Sequence, residues 1–225
     1  MNIAVICARK NSIRIKNKNF LKINKEPLIN FTIKSAIKSK LFKKIIINTD
    51  SKNYKCNIKN SKIKKYLRPK FLGGSNIRVL DVLKEMIQTS KINLDDNIFI
   101  LFPTCPLRNS EDIINAYKIY KKYKSLSQLI SISEFLPSIN VAFYLGKKNL
   151  LKNKFIKEYN MSPGNNNHEK YFYCNYAILI QKASKLIKYK KLVNQNSVPY
   201  LMPFDRSIDI DEPSQLRLIK KILKK

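Results

Sequence analysis

Apolar and polar positions fall into blocks along this chain. The first, Ile3 to Cys7, is uniformly apolar and predicts a short buried strand, and the polar stretch Ala8 to Asn19 is a loop at its C-terminal end. Leu28, Ile29, Ile33, Ala36 and Ile37 recur at helical spacing between Glu26 and Lys40, which predicts an amphipathic helix with Pro27 in its first turn. Lys43 to Thr49, centred on Ile45-Ile46-Ile47, reads as a second buried strand. Strand, loop, helix, strand is the opening of a βαβ unit. The lysine-rich residues 51–66 read as a short surface helix and loop. Val79, Val82, Leu83, Met86 and Ile87 predict a helix over Val79 to Thr89.

Asn97 to Phe102 is patterned as a central buried strand. A helix then runs from Ser110, as N-cap, to about Tyr123. Leu126 to Ser133, Tyr171 to Ile180 and Val198 to Met202 read as further strands, with a short helix over 182–188. Between Glu134 and Tyr171 the periodicity lapses, and a connection that long is uncommon without a role.

Composition narrows the class. With 225 residues and a 44% hydrophobic fraction, the chain reads as one domain, 1–225, with a large core. No apolar run approaches the ~18 residues of a membrane span, so no membrane insertion is expected. The first residues lack the basic flank of a signal peptide. Cys7, Cys56, Cys105 and Cys174 are scattered without paired spacing, which fits a reducing cytoplasm.

The formal charge of +30 suggests a nucleic-acid binder at first sight. Only seven of the 45 basic residues are arginine, however, and the lysines are spread through the chain alongside isoleucine and asparagine. That is the imprint of compositional drift, whereas a binding patch would be clustered, so no specific nucleic-acid partner is expected. The arginines are more telling, because a planar fork serves bidentate contact with phosphate or carboxylate. Arg9, Arg14, Arg68, Arg108 and Arg206 all fall in stretches that stand out for other reasons.

Candidate chemistry gathers at strand ends, where open α/β sheets bind ligands. The basic loop after the first strand, with Arg9, Asn11 and Ser12, suits phosphates. The chain has only 15 acids, yet Asp205, Asp209, Asp211 and Glu212 lie together. In an extended backbone Asp209 and Asp211 share a face, as a divalent cation would need. Alternatively, Asp211 caps the helix that Pro213 opens. His168, the only histidine, reads as solvated.

These stretches resemble one family. The pattern Ala-Arg-x-x-Ser-Lys-x-Ile-x-x-Lys-Asn is matched by Ala8, Arg9, Ser12, Ile15, Lys18 and Asn19, with Ile13 where the pattern has lysine. Arg68-Pro69 follows, then Pro103 to Arg108 as Pro-Thr-Cys-Pro-Leu-Arg with Cys105 in a serine position. Asn175-Tyr176-Ala177-Ile178 is similar to an Asn-Gly-Ala-Ile segment, and Asp209-Ile210-Asp211 to an Asp-Ile-Asp motif. In this order the motifs resemble the acylneuraminate cytidylyltransferases (CMP-sialic acid synthetases), including those acting on pseudaminic and legionaminic acids.

The resemblance implies a Rossmann-like nucleotide-diphospho-sugar transferase fold, with a mostly parallel sheet flanked by helices. An arm inserted at about 134–171 would form a homodimer. It implies transfer of a nucleotidyl group from CTP to a nonulosonic acid for cell-surface glycans, in the cytoplasm and with Mg²⁺. Arg9, Lys18, Asp209 and Asp211 would be catalytic, and Asp209 and Asp211 would hold the metal. Ala8, Arg9, Asn11, Ser12, Lys18 and Asn19 would bind the nucleotide. Backbone N–H groups of Lys10 to Ser12 would assist, and Phe102, Arg108 and Asn175 would face the sugar. Phe102 leans towards pseudaminic-type acids, whereas Asn175 to Ile178 and Arg206 to Asp211 lean towards sialic or legionaminic acid. Three readings compete with this one, the basic nucleic-acid binder weighed above being the less favoured alternative. Ile13 and the altered loop at 73–78 fit a catalytically weakened nucleotide- or sugar-binding homologue. The Lys18-Asn19 and Asp-Ile-Asp motifs argue against a keto-deoxyoctulosonate enzyme.

Overall fold

A computed structural model describes residues 1–74, 76–123, 128–136, 139–155 and 170–224. Strand β1 (Asn2–Cys7) leads through the first loop to a small hairpin, β2 (Lys22–Ile23) and β3 (Glu26–Pro27), and then to helix α1 (Leu28–Lys38). Pro27 stands at the cap position, one residue ahead of the expected first turn. Strand β4 (Lys44–Thr49) follows, then β5 (Ile63–Leu67), helix α2 (Val79–Thr89), β6 (Asn97–Ile100), α3 (Ser110–Lys122) and β7 (Gln128–Glu134). A second hairpin, β8 (Phe143–Leu145) and β9 (Leu151–Asn153), precedes the long β10 (Phe172–Lys182). Helix α4 (Ala183–Lys188), β11 (Val198–Leu201) and α5 (Pro213–Ile222) complete the fold.

Seven strands form one sheet in the order β11-β7-β10-β6-β1-β4-β5. Strand β10 is antiparallel to β6 and β7, and the other pairings are parallel. The apolar runs follow from this, because a strand covered on both faces has no polar side. Ala4 and Ile6 of β1 face the layer of α1 and α3 through Ile29, Ile33, Ile113 and Ala116. Ile3 and Val5 face the opposite layer, where α2 and α4 contribute Leu83, Met86, Ala183 and Leu186.

Strand β5 corrects the helix expected in 51–66. It is the sheet's edge, and its exposed Lys64 and Lys65 disguise it as a solvated segment. Charge on an edge strand blocks pairing with other chains. The N-cap of α3 is Asn109, not Ser110: its side chain accepts from the Asp112 N–H, and Asp112 accepts from the Asn109 N–H. Glu212, not Asp211, caps α5, in a capping box with Gln215. Asp211 is thereby left to another role.

A third apolar cluster places the site. Ile15 of the first loop, Ile23, Leu28, Ile210 and Ile219 of α5 pack together. This core draws the end of the chain against its first loop. A clasp fixes the approach: Arg206 donates to both carboxylate oxygens of buried Asp112, at 3.0 and 3.2 Å, and the Tyr200 hydroxyl donates to the same group at 3.0 Å. The Arg206 fork is thus committed to the frame.

Of the arm expected at 134–171, the described part includes β8 and β9, with Phe143, Tyr144, Leu145, Leu150 and Leu151 exposed. Residues 137–138 and 156–169, including His168, lie outside the described residues. Among the described residues, no helix is long and apolar enough to cross a membrane.

Candidate active site

The first loop is pinned at both ends and at its middle. The Ala8 N–H donates to the Asn48 carbonyl at 2.9 Å, and the Lys10 N–H donates to Asp50 Oδ1 at 2.6 Å. Buried Asn19 donates from Nδ2 to the Arg9 carbonyl at 2.9 Å, closing the loop on itself. Ile15 is buried in the third apolar cluster, so the residues around it turn towards solvent and the cleft. Asn17 takes a left-handed conformation (φ 54°) before the single turn Lys18–Phe20. Asp50 is thus an anchor for the loop, and the Lys10 N–H is committed to it.

The acidic segment enters from the other end of the chain. The Ile210 N–H donates to the Thr104 carbonyl at 2.8 Å, which ties the segment to the loop after β6. Ile210 is fully buried in the third cluster. Its neighbours Asp209 and Asp211 both line the cleft, as an alternating backbone requires.

Together these segments bound a cleft of about 450 Å³ at the carboxyl ends of the parallel strands. Arg9, Ser12, Ile13, Arg14, Lys18 and Asn19 line it from the first loop, and Phe102, Thr104, Tyr176, Asp209 and Asp211 line it from later segments. Lys18 Nζ lies 2.7 Å from Asp211 Oδ1, and Arg14 bridges Asp211 at 3.1 Å and Glu212 at 2.7 Å. The Ser12 hydroxyl is buried without a hydrogen-bond partner among the described residues. Ile13, where the family pattern has lysine, is 80% exposed at the margin.

The two carboxylates sit in opposite electrostatic settings. Burial pushes the Asp209 carboxyl above the ordinary aspartate range and neighbouring Asp211 adds to this, while the Thr104 hydroxyl and the Lys18 charge pull the other way. Burial also raises Asp211, but Lys18 and Arg14 outweigh it and hold that carboxyl below its usual range. Among the described residues, no three or more His, Cys, Asp or Glu side chains gather as a metal-ligand cluster. A cation here would rest on Asp209 and Asp211 with oxygens brought by substrate. That donor set fits Mg²⁺, which takes one or two carboxylates and fills its sphere with phosphate and water. The destabilised charge of Asp209 beside a second carboxylate is what such a cation would relieve.

Other expected site residues lie behind the cleft. Ala8 is fully buried under the loop, and Asn11 is exposed and outside the lining. Arg108 is 1% exposed: it donates to the carbonyls of Phe102 (3.2 Å) and Ala177 (2.8 Å) and to the Thr32 hydroxyl (2.7 Å). Burial pushes its pKa down to about 10, so it stays charged at neutral pH. Asn175 is 2% exposed and bonds Ser131 and Ser133. Both residues frame the cleft without entering it, whereas Phe102 lines it.

Sequence reasoning did not assign Arg68 and Tyr176 to the site. Arg68 lines the cleft and donates to the side chain and carbonyl of Asn48. Its signal was present, as one of few arginines in a lysine-rich chain. Tyr176 occupies the glycine position of its motif at φ 56°, where a non-glycine residue costs about 1–2 kcal/mol.

Comparison with known proteins gives this arrangement its context. The family model described as cytidylyltransferase matches residues 3–195. The chain belongs to the cytidylyltransferase family. An N-acylneuraminate cytidylyltransferase of Escherichia coli O18:K1:H7 is 28% identical over 224 residues, covering 99% of this chain and 52% of that protein. The CMP-N,N'-diacetyllegionaminic acid synthase of Legionella pneumophila is 27% identical, covering 98% of this chain and 95% of that one. The chain therefore spans about half the length of the first relative and nearly all of the second. A solved CMP:2-keto-3-deoxy-manno-octonic acid synthetase complexed with CTP superposes with TM-score 0.72 at 14% identity, over 99% of this chain and 98% of that one. That likeness shows the fold alone, a Rossmann-like, mostly parallel sheet flanked by helices. The cytidylyltransferase match ends before Asp209 and Asp211, so their place in the cleft is an independent observation.

Proposed function

We propose that this chain transfers a cytidylyl group from CTP to a nonulosonic acid, releasing pyrophosphate and supplying CMP-sugar for cell-surface glycans. The observation that carries this reading is the convergence, in one cleft of a cytidylyltransferase fold, of Arg9, Ser12 and Lys18 with Asp209 and Asp211. The sugar's anomeric hydroxyl oxygen forms a bond to the α-phosphorus, and the bond from that phosphorus to the bridging oxygen of the β-phosphate breaks. The hydroxyl proton passes to solvent and pyrophosphate departs with the electron pair of the broken bond. Such a step depends on positioning and charge neutralisation more than on covalent help from the protein.

Arg9 and Lys18 hold the triphosphate, with the Ser12 hydroxyl turned to its oxygens. Asn19 keeps the loop closed around it. Asp209 and Asp211 would hold Mg²⁺, which neutralises phosphate charge and orients attack. In this structure Lys18 and Arg14 occupy Asp211. A triphosphate competes for both cations and so releases that carboxylate for the metal. The four free cysteines suit a reducing cytoplasm, where CTP is found.

The test is pyrophosphate release from CTP, with and without Mg²⁺, offered N-acetylneuraminic, legionaminic or pseudaminic acid. Mg²⁺-dependent release with at least one of them is expected. CTP binding without release from any would favour a nucleotide-binding homologue that has lost turnover, with Ile13 as the first suspect. The exposed apolar β8–β9 hairpin further supports an arm that pairs two copies of the chain. Sedimentation is expected to give a dimer, and Phe143→Asp with Leu145→Asp is expected to shift it to monomer. A monomeric parent chain would remove the arm from the proposal.

A further inference from the structure

Tyr176 is held in an unfavourable conformation by an unusual amount of structure. Its φ of 56° lies in the left-handed region, at a break in the β10–β7 register between Cys174 and Leu179. Side chains bind the backbone on both sides of it. Asn175 Oδ1 accepts from the Ala177 N–H at 3.1 Å, and the Ser131 hydroxyl accepts from the Ile178 N–H at 2.8 Å. Arg108 donates to the Ala177 carbonyl at 2.8 Å, and the Cys105 thiol to the Asn175 carbonyl at 3.5 Å. Asn175 is itself fixed by Ser131 at 2.5 Å and Ser133 at 2.9 Å. A strained residue persists where its surroundings over-determine it, and such places concentrate at ligand sites.

This network delivers an aromatic ring into the cleft. The ring meets Phe102 edge-to-face, with centroids 6.2 Å apart and planes at 88°. It also borders a second cavity of about 370 Å³, lined by Tyr173, Phe204 and Leu218. Asp209 and Asp211 line both spaces. Phosphate-binding groups come from the first loop, which leaves the side of the cleft lined by Phe102 and Tyr176 for an acceptor. There two perpendicular rings make an apolar corner.

On the basis of the cytidylyl transfer proposed above, we infer that Tyr176 is a specificity-determining residue whose ring, with Phe102, receives an apolar group of the acceptor sugar. The corner favours a nonulosonic acid whose side chain ends in a C9 methyl over one ending in a C9 hydroxymethyl. A hydroxyl laid on the carbon faces of the two rings, away from the Tyr176 phenol, loses water without gaining a partner. A single apolar group in a fitted pocket is worth about 10–200-fold in discrimination.

The test compares the parent chain with Tyr176→Gly and Tyr176→Asn, both residues that accept the left-handed backbone. 9-Deoxy-N-acetylneuraminic acid (C9 methyl) and N-acetylneuraminic acid (C9 hydroxymethyl), which differ at C9 alone, are offered at saturating CTP. The parent is expected to prefer the methyl-bearing sugar, and the preference is expected to drop about tenfold or more in both variants through the acceptor KM. The KM for CTP should hold, and the thermal midpoint should hold or rise, since both residues relieve the left-handed strain. A parent with no such preference, or one unchanged within about twofold by either variant, overturns the inference and leaves the proposed function standing. A rise in the KM for CTP instead would put the rings against the nucleotide and also overturn it. No pyrophosphate release by the parent with any acceptor refutes the proposed function, and the inference falls with it.

Discussion

Turnover of an Asp209→Asn protein is expected to fall by about 10²–10³-fold, the scale of losing one well-placed electrostatic group, while its thermal midpoint holds or rises. The two halves of this expectation have one cause. Burial disfavours the charged form of Asp209, and the adjacent Asp211 carboxylate disfavours it further. A carboxyl whose folded pKa lies above its unfolded value makes the ionised folded state less stable. That penalty vanishes below the unfolded pKa and grows as pH rises through the folded one, so removing the charge relieves it on the alkaline side. Asparagine removes the charge and keeps an oxygen that can accept from Thr104. Pyrophosphate release and thermal melting at neutral pH check both halves. A residue that only holds the loop together would behave in the opposite way. A lower midpoint with activity intact would therefore sink the catalytic assignment of Asp209.

Some of this logic was legible in the sequence. The Asp-Ile-Asp alternation exposes its own geometry: a fully buried Ile210 sends its two neighbours to the other face. The strands with two covered faces were also legible, since the central residues of β1, β4 and β6 are apolar on both faces. Strand β5 was not, because an edge strand with lysines carries the signal of a surface loop. Caps moved by a single residue, from Ser110 to Asn109 and from Asp211 to Glu212, since neighbouring residues are chemically able to do the same job.

The misplaced contacts have a common origin. Arg108 and Asn175 are themselves motif residues, yet their side chains turn into the frame and satisfy backbone groups there. Sequence order reports that a polar residue is near a ligand site, and says little about which side of the backbone it faces. Tyr176 is the converse case. Its ring reaches the cleft only through a left-handed turn that no periodicity announces. The acids and cations of the site belong to loops held by residues far along the chain. The Arg206–Asp112 clasp and the Ile15–Ile210–Ile219 cluster are such long-range ties, and local pattern cannot reveal them.

Lys18→Ala is expected to cost at least about 10²-fold in turnover, since a cation aimed at phosphate in a sheltered cleft contributes a few kcal/mol to transition-state stability. Lys18 is well placed for this, with its side chain only 14% exposed and its ammonium 2.7 Å from Asp211. The same variant carries a stability signature. Lys18 helps hold the Asp211 carboxyl below its unfolded range, and a depressed carboxyl contributes stability above the unfolded pKa that is lost as pH falls through the folded pKa. The parent should therefore outlast Lys18→Ala in denaturant at neutral pH, with the gap closing in acid once Asp211 is protonated in both. Ile13→Lys completes the comparison. Because Ile13 is 80% exposed, a lysine there disturbs no core and adds a cation at the cleft margin. Its turnover should equal or exceed that of the parent, with CTP binding more sensitive to salt. Normal activity in Lys18→Ala would remove that residue from the mechanism. A loss of activity in Ile13→Lys would mean that the first loop works with an apolar residue at this position, and that Lys18 and Arg9 already supply all the positive charge the triphosphate needs.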